Sequence, residues 1–137
     1  MANADELVIA YASAWNEPNE VQRRAYVEAC WSEASTVTGP NVQVTGRAAL
    51  LEEIAQFHRA MPGYSGVITG FDAHHSFVRF TISLRDASGG LVAEAIDIGE
   101  IGADGLLRSI ITFWGPAAPV PATWPSVLRS DAHSAPR

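Results

Sequence analysis

Three stretches in the first half of the chain repeat apolar side chains at helical spacing. The first, over residues 5–15, has the apolar stripe Leu7, Val8, Tyr11, Ala12 and Trp15. Asn19 is predicted to cap a second helix that ends near Trp31. Thr45 is predicted to cap a third helix that begins at Gly46 and that Pro62-Gly63 ends. The apolar stripe of this third helix is Leu50, Ile54, Phe57 and Met61.

The second half of the chain has the alternation typical of strands. Strands are predicted over residues 67–71, 77–84, 91–101 and 106–114, and a further segment over 34–44 is broken at Gly39-Pro40. This order predicts an α+β domain of three helices on one face of a curved, mostly antiparallel sheet that encloses a hydrophobic pocket. Residues 1–116 are predicted to form this single domain, and residues 117–137 a tail rich in Pro, Ala and Ser that frays at its end.

One carboxylate stands in the middle of a predicted strand, at Asp97. By strand alternation it shares a face with Ala95, Gly99 and Ile101, all small or apolar. A carboxyl group there is either structural, with hydrogen bonds to Tyr11 or a backbone amide, or kept uncharged to act as a proton donor. Apolar surroundings disfavour ionisation, so we expect a raised pKa for Asp97.

Composition narrows the possible partners. The 137 residues carry a formal net charge of −6 with a pI of about 5.0, which argues against binding to nucleic acid or an anionic membrane.

The single cysteine, Cys30, excludes an internal disulfide and is expected to be a buried, inert thiol. No apolar run is long enough to span a membrane and the first residues do not resemble a signal peptide, so a cytoplasmic location is expected. No cofactor is expected, because the chain has no glycine-rich phosphate loop and no set of metal ligands.

Several short segments, taken in order, together carry a family resemblance. They are Tyr11-Ala12-Ser13-Ala14-Trp15-Asn16, Cys30-Trp31, Thr45-Gly46-Arg47, Phe80-Thr81-Ile82-Ser83-Leu84, Ile96-Asp97 and Asp104-Gly105 through Phe113-Trp114-Gly115. In this order they resemble the NTF2-like superfamily, and within it the SnoaL-like and ketosteroid-isomerase-like members. The resemblance covers residues 5 to about 116 and implies a cone-like fold. It does not specify an activity, because this fold hosts both enzymes and non-catalytic binders.

The resemblance implies roles for individual residues. In the ketosteroid isomerase pattern, Tyr11 falls at the tyrosine of the oxyanion hole, Asp97 at the donor acid, and Gly39 at the base, so the base is missing here. The limonene-epoxide-hydrolase pattern fits less well, since Ala95 stands where that pattern has Arg and the last strand has no acid. SnoaL-type cyclases require only a strand Asp or His as acid/base in an apolar cavity, which this chain can supply.

Two adjacent histidines, His74 and His75, can place only one ring in the pocket. Parity with Val78 and Phe80 favours His74, as a substitute for the missing base, whereas a bulge would exchange the two and a surface pair is the simpler alternative. Metal binding is disfavoured, since no third ligand is spaced nearby and neighbouring strand residues point apart. The expected pocket walls are Leu50, Ile54, Val78, Phe80, Ile110, Thr112 and Trp114.

The opposite face of the sheet is also apolar. The apolar side chains of this face would be exposed in a monomer, which predicts a homodimer packed sheet to sheet. They are Ile96, Ile98, Ile111 and Phe113.

The sequence leaves three hypotheses about function. The chain is an isomerase or cyclase acting on a small apolar, oxygen-bearing molecule such as a polyketide or terpenoid, a non-catalytic binder of such a molecule, or an interaction module with a vestigial pocket.

Overall fold

The computed structural model describes residues 3–130. Three helices precede most of the sheet, as predicted, and a short 3₁₀-helix, Ser126–Leu128, lies in the tail. The helices and strands are α1 Ala4–Asn16, α2 Glu20–Cys30, β1 Trp31–Gly39, β2 Val42–Thr45, α3 Arg47–Ala60, β3 Ser65–His74, β4 Phe77–Arg85, β5 Leu91–Ile101 and β6 Leu107–Trp114.

The six strands form one curved sheet in the order β2-β1-β6-β5-β4-β3. Four strand pairs are antiparallel, and only β1 with β6 is parallel, which makes the sheet mixed. The prediction of an α+β fold with a mostly antiparallel sheet is therefore confirmed. The predicted turn at Asp104-Gly105 is confirmed as well, since Gly105 has a φ of 82° and Asp104 Oδ1 accepts from the Leu106 N–H at 3.0 Å.

Local capping explains where the helices begin. The Asn19 side chain accepts from the Gln22 N–H at 3.0 Å, as predicted for α2. The prediction that Thr45 caps α3 is wrong, because Thr45 ends β2 and pairs with Thr36. Gly46 is the N-cap instead, with a φ of 96°, and the free N–H of Arg47 donates to the Glu33 carboxylate of β1 at 2.8 Å.

Helix α1 is fixed to the sheet by a side chain at its last residue. The amide of Asn16 donates to the Gly66 carbonyl and accepts from the Gly66 N–H, both at 2.8 Å, and so extends the hydrogen bonding of the edge strand β3. The loop that follows is held by the buried Arg23, whose guanidinium donates to the carbonyls of Glu17 and Pro18. These bonds set the position of α1, and with it that of Tyr11.

The hydrophobic core fills the space between the helices and the concave face of the sheet. Trp31, Phe80, Leu50, Ile54 and Ile110 have no exposed surface. Burial of such side chains is the main favourable term in folding. The residues of this core are Leu7, Val8, Tyr11, Ala14, Val27, Cys30, Trp31, Val37, Leu50, Ile54, Val78, Phe80, Leu107 and Ile110.

Strand β3 is longer than the predicted segment, and the tail is only partly described. β3 runs from Ser65 to His74 because its polar end pairs with β4, with Asp72 opposite Arg79. Most of residues 117–130 are exposed, and the predicted frayed end at 131–137 lies outside the described residues. None of the helices within residues 3–130 has the length and hydropathy needed to cross a membrane.

Any side chain at Gly99, on the concave face of β5, is predicted to lower the stability of the fold. A Cβ atom there would lie 2.8 Å from Ile110 Cδ1 and 2.9 Å from Val78 Cγ2. Gly99→Ala should lower the free energy of unfolding by about 1–3 kcal/mol through overpacking, as measured by urea denaturation. Gly39→Ala is the matched control, because its nearest neighbour is a methyl of Val42 at 3.3 Å. An equal loss in both variants would contradict this account.

Candidate functional site

Asp97 lies at the centre of β5 and points to the concave side of the sheet. It pairs with Phe80 of β4 and Thr112 of β6, and residues directly opposite in antiparallel strands share a face. Only 3% of Asp97 is exposed. The alternation in the sequence thus placed this carboxyl group on the correct face.

The carboxyl group of Asp97 is not fully hydrogen-bonded. Its Oδ1 atom is buried and has no hydrogen-bond partner within the described residues. Burial raises the pKa of Asp97 from 3.8 to about 6, and a polar contact with Thr112 opposes the shift. An orphaned buried oxygen is rare in folded proteins and marks a place where a ligand group could be bound.

Tyr11 packs beside this acid without bonding to it. Its ring lies 5.5 Å from that of Trp31 and 6.3 Å from that of Phe80, measured between centroids. The predicted hydrogen bond to Asp97 is absent from residues 3–130: Asp97 Oδ1 has no partner, and the phenol is surrounded by aromatic rings. Burial first, and then the nearby Asp97 carboxylate, raises the pKa of Tyr11 above its ordinary value, so the phenol keeps its proton.

The seven predicted wall residues divide into two groups. Five are core side chains on the concave side with almost no exposed surface: Leu50, Ile54, Val78, Phe80 and Ile110. Thr112 is half-buried, and Trp114, whose pairing partner is Ala95, is 47% exposed. Thr112 and Trp114 therefore mark the open end of the concave side, the route by which a ligand could approach Asp97.

His74 does not face this side of the sheet, contrary to the prediction. It pairs with Phe77 across a two-residue turn, and Phe77 pairs with Glu100, so His74 lies on the outer face. Counting every second residue across such a turn predicts the wrong face. Residue i pairs with residue i+3, and paired residues share a face although their numbers differ by an odd count. His74 is exposed and cannot serve as the base for a substrate at Asp97.

Two cavities of the structure lie away from Asp97. One, of about 350 Å³, is lined by residues of the β3–β4 hairpin, including His74 and Phe77, and by Ile98. Another, of about 250 Å³, lies between α2 and α3 and includes Arg23 and Glu52. Neither is lined by Asp97 or Tyr11, so neither is the pocket that the sequence predicts beside Asp97.

One feature of the site was not predicted from the sequence, and a second, at Gly39, agrees with the base position that the resemblance implied. The indole N–H of Trp31 is buried and has no hydrogen-bond partner within the described residues. A Cβ atom on Gly39 would lie 4.0 Å from Thr112 Cβ, so position 39 faces the same side as Asp97. The only sequence signal for Trp31 is its place beside Cys30 at the end of α2, which does not distinguish an orphan donor from a core aromatic.

A metal centre beside Asp97 has no support from the side chains. Within residues 3–130, no group of three or more His, Cys, Asp or Glu residues is placed to hold a metal ion. Cys30 is buried, as expected, and burial raises the pKa of its thiol to about 12.

Comparison with known proteins shows the fold of the chain. No family model matches the sequence, and no curated protein does. Solved structures match well. A protein from Agrobacterium tumefaciens, described as a candidate isomerase of the SnoaL-like family, is 28% identical, with a TM-score of 0.76 over 80% of this chain and 95% of that one. The chain has the NTF2-like fold.

Two other solved structures show the same fold at lower identity. An NTF2-like protein of unknown function from Cytophaga hutchinsonii is 16% identical, with a TM-score of 0.64 over 85% of this chain and 93% of that one. A candidate polyketide cyclase from Sinorhizobium meliloti is 13% identical, with a TM-score of 0.64 over 79% and 94%. Identities this low support the NTF2-like fold and carry no site residues across.

Replacing Asp97 should reveal its raised pKa as a pH dependence of stability. From about pH 4 to pH 6 the folded NTF2-like domain keeps a proton on Asp97 that the unfolded chain has released, so stability falls as pH rises. The fall is on the order of 3 kcal/mol, for a pKa shift of about two units. Asp97→Asn cannot ionise and should lack this fall.

The measurement is urea denaturation of both proteins from about pH 4 to about pH 8. The difference between the two free energies of unfolding isolates Asp97, because the other titrating groups are common to both proteins. A difference that stays constant with pH would show that the carboxyl group titrates normally.

Proposed function

We propose that this NTF2-like domain is an acid/base enzyme of the SnoaL-like kind, an isomerase or cyclase for a small apolar molecule that carries a carbonyl or hydroxyl oxygen. The observation that carries the proposal is the buried carboxyl group of Asp97, whose Oδ1 has no partner. The apolar residues around it suit an apolar substrate, and a single polar group among them would fix its orientation.

The pKa of Asp97 favours one chemical role over another. A fixed hydrogen-bond donor must stay protonated at neutral pH, which requires a pKa well above 7. A pKa of about 6 instead lets Asp97 both lose and regain its proton near neutral pH, as a general acid/base requires. Asp97 is thus better suited to moving a proton than to holding one.

Tyr11 supplies the complementary role. Its phenol keeps its proton because burial and the nearby Asp97 charge both oppose ionisation. A neutral phenol can donate to an oxygen on which negative charge develops, and such a preorganised donor is often the largest contribution to catalysis. In this proposal Tyr11 stabilises an enolate oxygen while Asp97 transfers the proton.

A separate base is not needed in this scheme. Gly39 of β1 lies on the same side of the sheet as Asp97 and has no side chain, and His74 lies on the other face. Asp97 would remove a proton from a carbon next to the carbonyl and return it to a different atom of the same substrate. The net reaction is then an isomerisation or a ring closure, with no co-reactant required.

A non-catalytic binder is the second candidate, and the glycine at position 39, where the ketosteroid isomerase pattern has its base, supports it. Phe80, Leu50 and Ile54 are fully buried, so in either candidate a ligand would reach Asp97 from the end of the concave side at Thr112 and Trp114. A domain that only holds a ligand needs no second proton-transfer group, which fits the glycine at position 39.

The proposal predicts that Asp97 catalyses proton exchange on a bound ketone. With 2-tetralone in deuterated water, the wild-type protein should speed deuterium uptake at the carbon next to the carbonyl. Asp97→Asn should slow this exchange by about 100-fold or more while changing the dissociation constant little. NMR follows the exchange, and quenching of tryptophan fluorescence follows binding.

Glu94→Gln is the matched control, since Glu94 is an exposed carboxyl group on the outer face of the same strand. It should exchange and bind as the wild type does. Binding without exchange would support the binder, and neither binding nor exchange would contradict both candidates.

We also propose that two copies associate through the outer face of the sheet. Ile98 and Ile111 pair across β5 and β6 at its centre and are each 42% exposed, and Ile96 and Phe113 form the next pair. Four large apolar side chains in one contiguous patch are unusual on a monomer surface. A two-fold axis through such a patch would bury it against its own copy.

Ile98→Glu should therefore convert a dimer to a monomer. The substitution would place a charge in the buried centre of each half of the interface, which should weaken association by more than tenfold, roughly. Sedimentation velocity over a range of concentrations measures this. Ile9→Glu, an exposed apolar position on α1, should leave the dimer unchanged. A wild-type protein that is monomeric throughout would overturn this proposal.

A further inference from the structure

The hairpin between β3 and β4 is built around two consecutive histidines. His74 is the last residue of β3 and pairs with Phe77, so His75 and Ser76 form a two-residue turn. His75 has a φ of 54°, in the left-handed region that normally favours glycine in such turns. Within residues 3–130 it is the one non-glycine residue with a positive φ.

This backbone conformation brings the two imidazole rings together. The Nδ1 atoms of His74 and His75 lie 3.1 Å apart, and the ring centroids are 5.3 Å apart with the planes nearly perpendicular. The expectation that neighbouring histidines point apart is wrong here, because only His74 belongs to the strand. Both rings are exposed at the end of the sheet, on a chain with a net charge of −6.

The distance between the two nitrogens is that of two ligands on one metal ion. With metal–nitrogen bonds of about 2.0–2.1 Å, two ligands are roughly 2.9 Å apart at a right angle and roughly 3.4 Å apart at a tetrahedral angle. The observed 3.1 Å lies between these values. Imidazole nitrogen is a preferred ligand of copper, nickel and zinc.

We propose that His74 and His75 chelate one divalent transition-metal cation through their Nδ1 atoms, with Cu²⁺ bound most tightly. Without metal, one Nδ1 carries a hydrogen and donates it to the other. Chelation requires that hydrogen to move to Nε2 of the same ring, so that both rings stay neutral and both Nδ1 lone pairs face the cation.

No side chain next to the two histidines is available as a third metal ligand in the described part of the chain. Asp72 lies two residues before His74 on the same face, but its carboxylate is held by the Arg79 guanidinium through bonds of 3.1 and 2.6 Å. The Phe77 ring lies 6.4 Å from that of His74 and closes one side. The protein therefore supplies two nitrogens, and water fills the remaining coordination positions. Because the site is on the outer face at the hairpin, it is independent of Asp97.

Copper titration of the full chain tests the proposal. Calorimetry with CuCl₂ should show one tight site in the wild type, and electron paramagnetic resonance should show two nitrogens bound to the Cu²⁺. His74→Gln and His75→Gly should each weaken binding by at least about tenfold, since each removes a ligand. His75→Gly should also raise the urea midpoint, because glycine accepts the positive φ without strain, so loss of binding there cannot come from misfolding.

His58→Gln and His133→Gln are the controls for the other two histidines of the chain. Both should bind Cu²⁺ as the wild type does, with the same two-nitrogen spectrum. The proposal is overturned if the double variant His74→Gln/His75→Gln keeps wild-type affinity, or if His58→Gln or His133→Gln abolishes the site.

Discussion

Burial of one carboxyl group against the concave face of a sheet is the constraint around which this NTF2-like domain is arranged. Asp97 pairs with Phe80 and Thr112, and its side chain must point inward because the neighbouring residues of β5 alternate between core and surface. A one-residue slip of β5 would turn Asp97 outward and bury Ile96 and Ile98, so the register that builds the core also buries the acid. Stability and the burial of this acid therefore depend on the same strand pairing.

Gly99 and Asp97 are successive inward-facing positions of β5, so the same strand pairing places both in the core. Gly99 lets Ile110 and Val78 close over β5 at less than 3 Å from where a Cβ would stand. Asp97 is the next inward position of β5, and its own burial raises its pKa to about 6.

Much of this arrangement could be predicted from the sequence, because it depends on periodicity. Alternation along residues 94–101 placed Asp97 inward and Ile98 outward, and the Asn19 cap and the Asp104-Gly105 turn follow from side-chain chemistry that acts over a few residues. The errors arose where the outcome depends on atoms distant in sequence or on a break in periodicity. The first N–H of α3 donates to Glu33, fourteen residues before Arg47, and a two-residue turn puts His74 on the face opposite to the one predicted.

The site itself was harder to predict than the fold, because packing decides whether polar groups meet. Tyr11 and Asp97 were each placed on the concave side, yet no hydrogen bond joins them in the described part of the chain, and the nearby rings of Trp31 and Phe80 pack against the phenol instead. Periodicity predicts which face of an element a side chain lies on, but it does not predict the distance between two side chains on the same side of the core. In the proposed function this difference is chemical, because an oxygen of Asp97 without a protein partner is the one that would meet the substrate. A hydrogen bond from Tyr11 to that oxygen would instead have favoured the structural role.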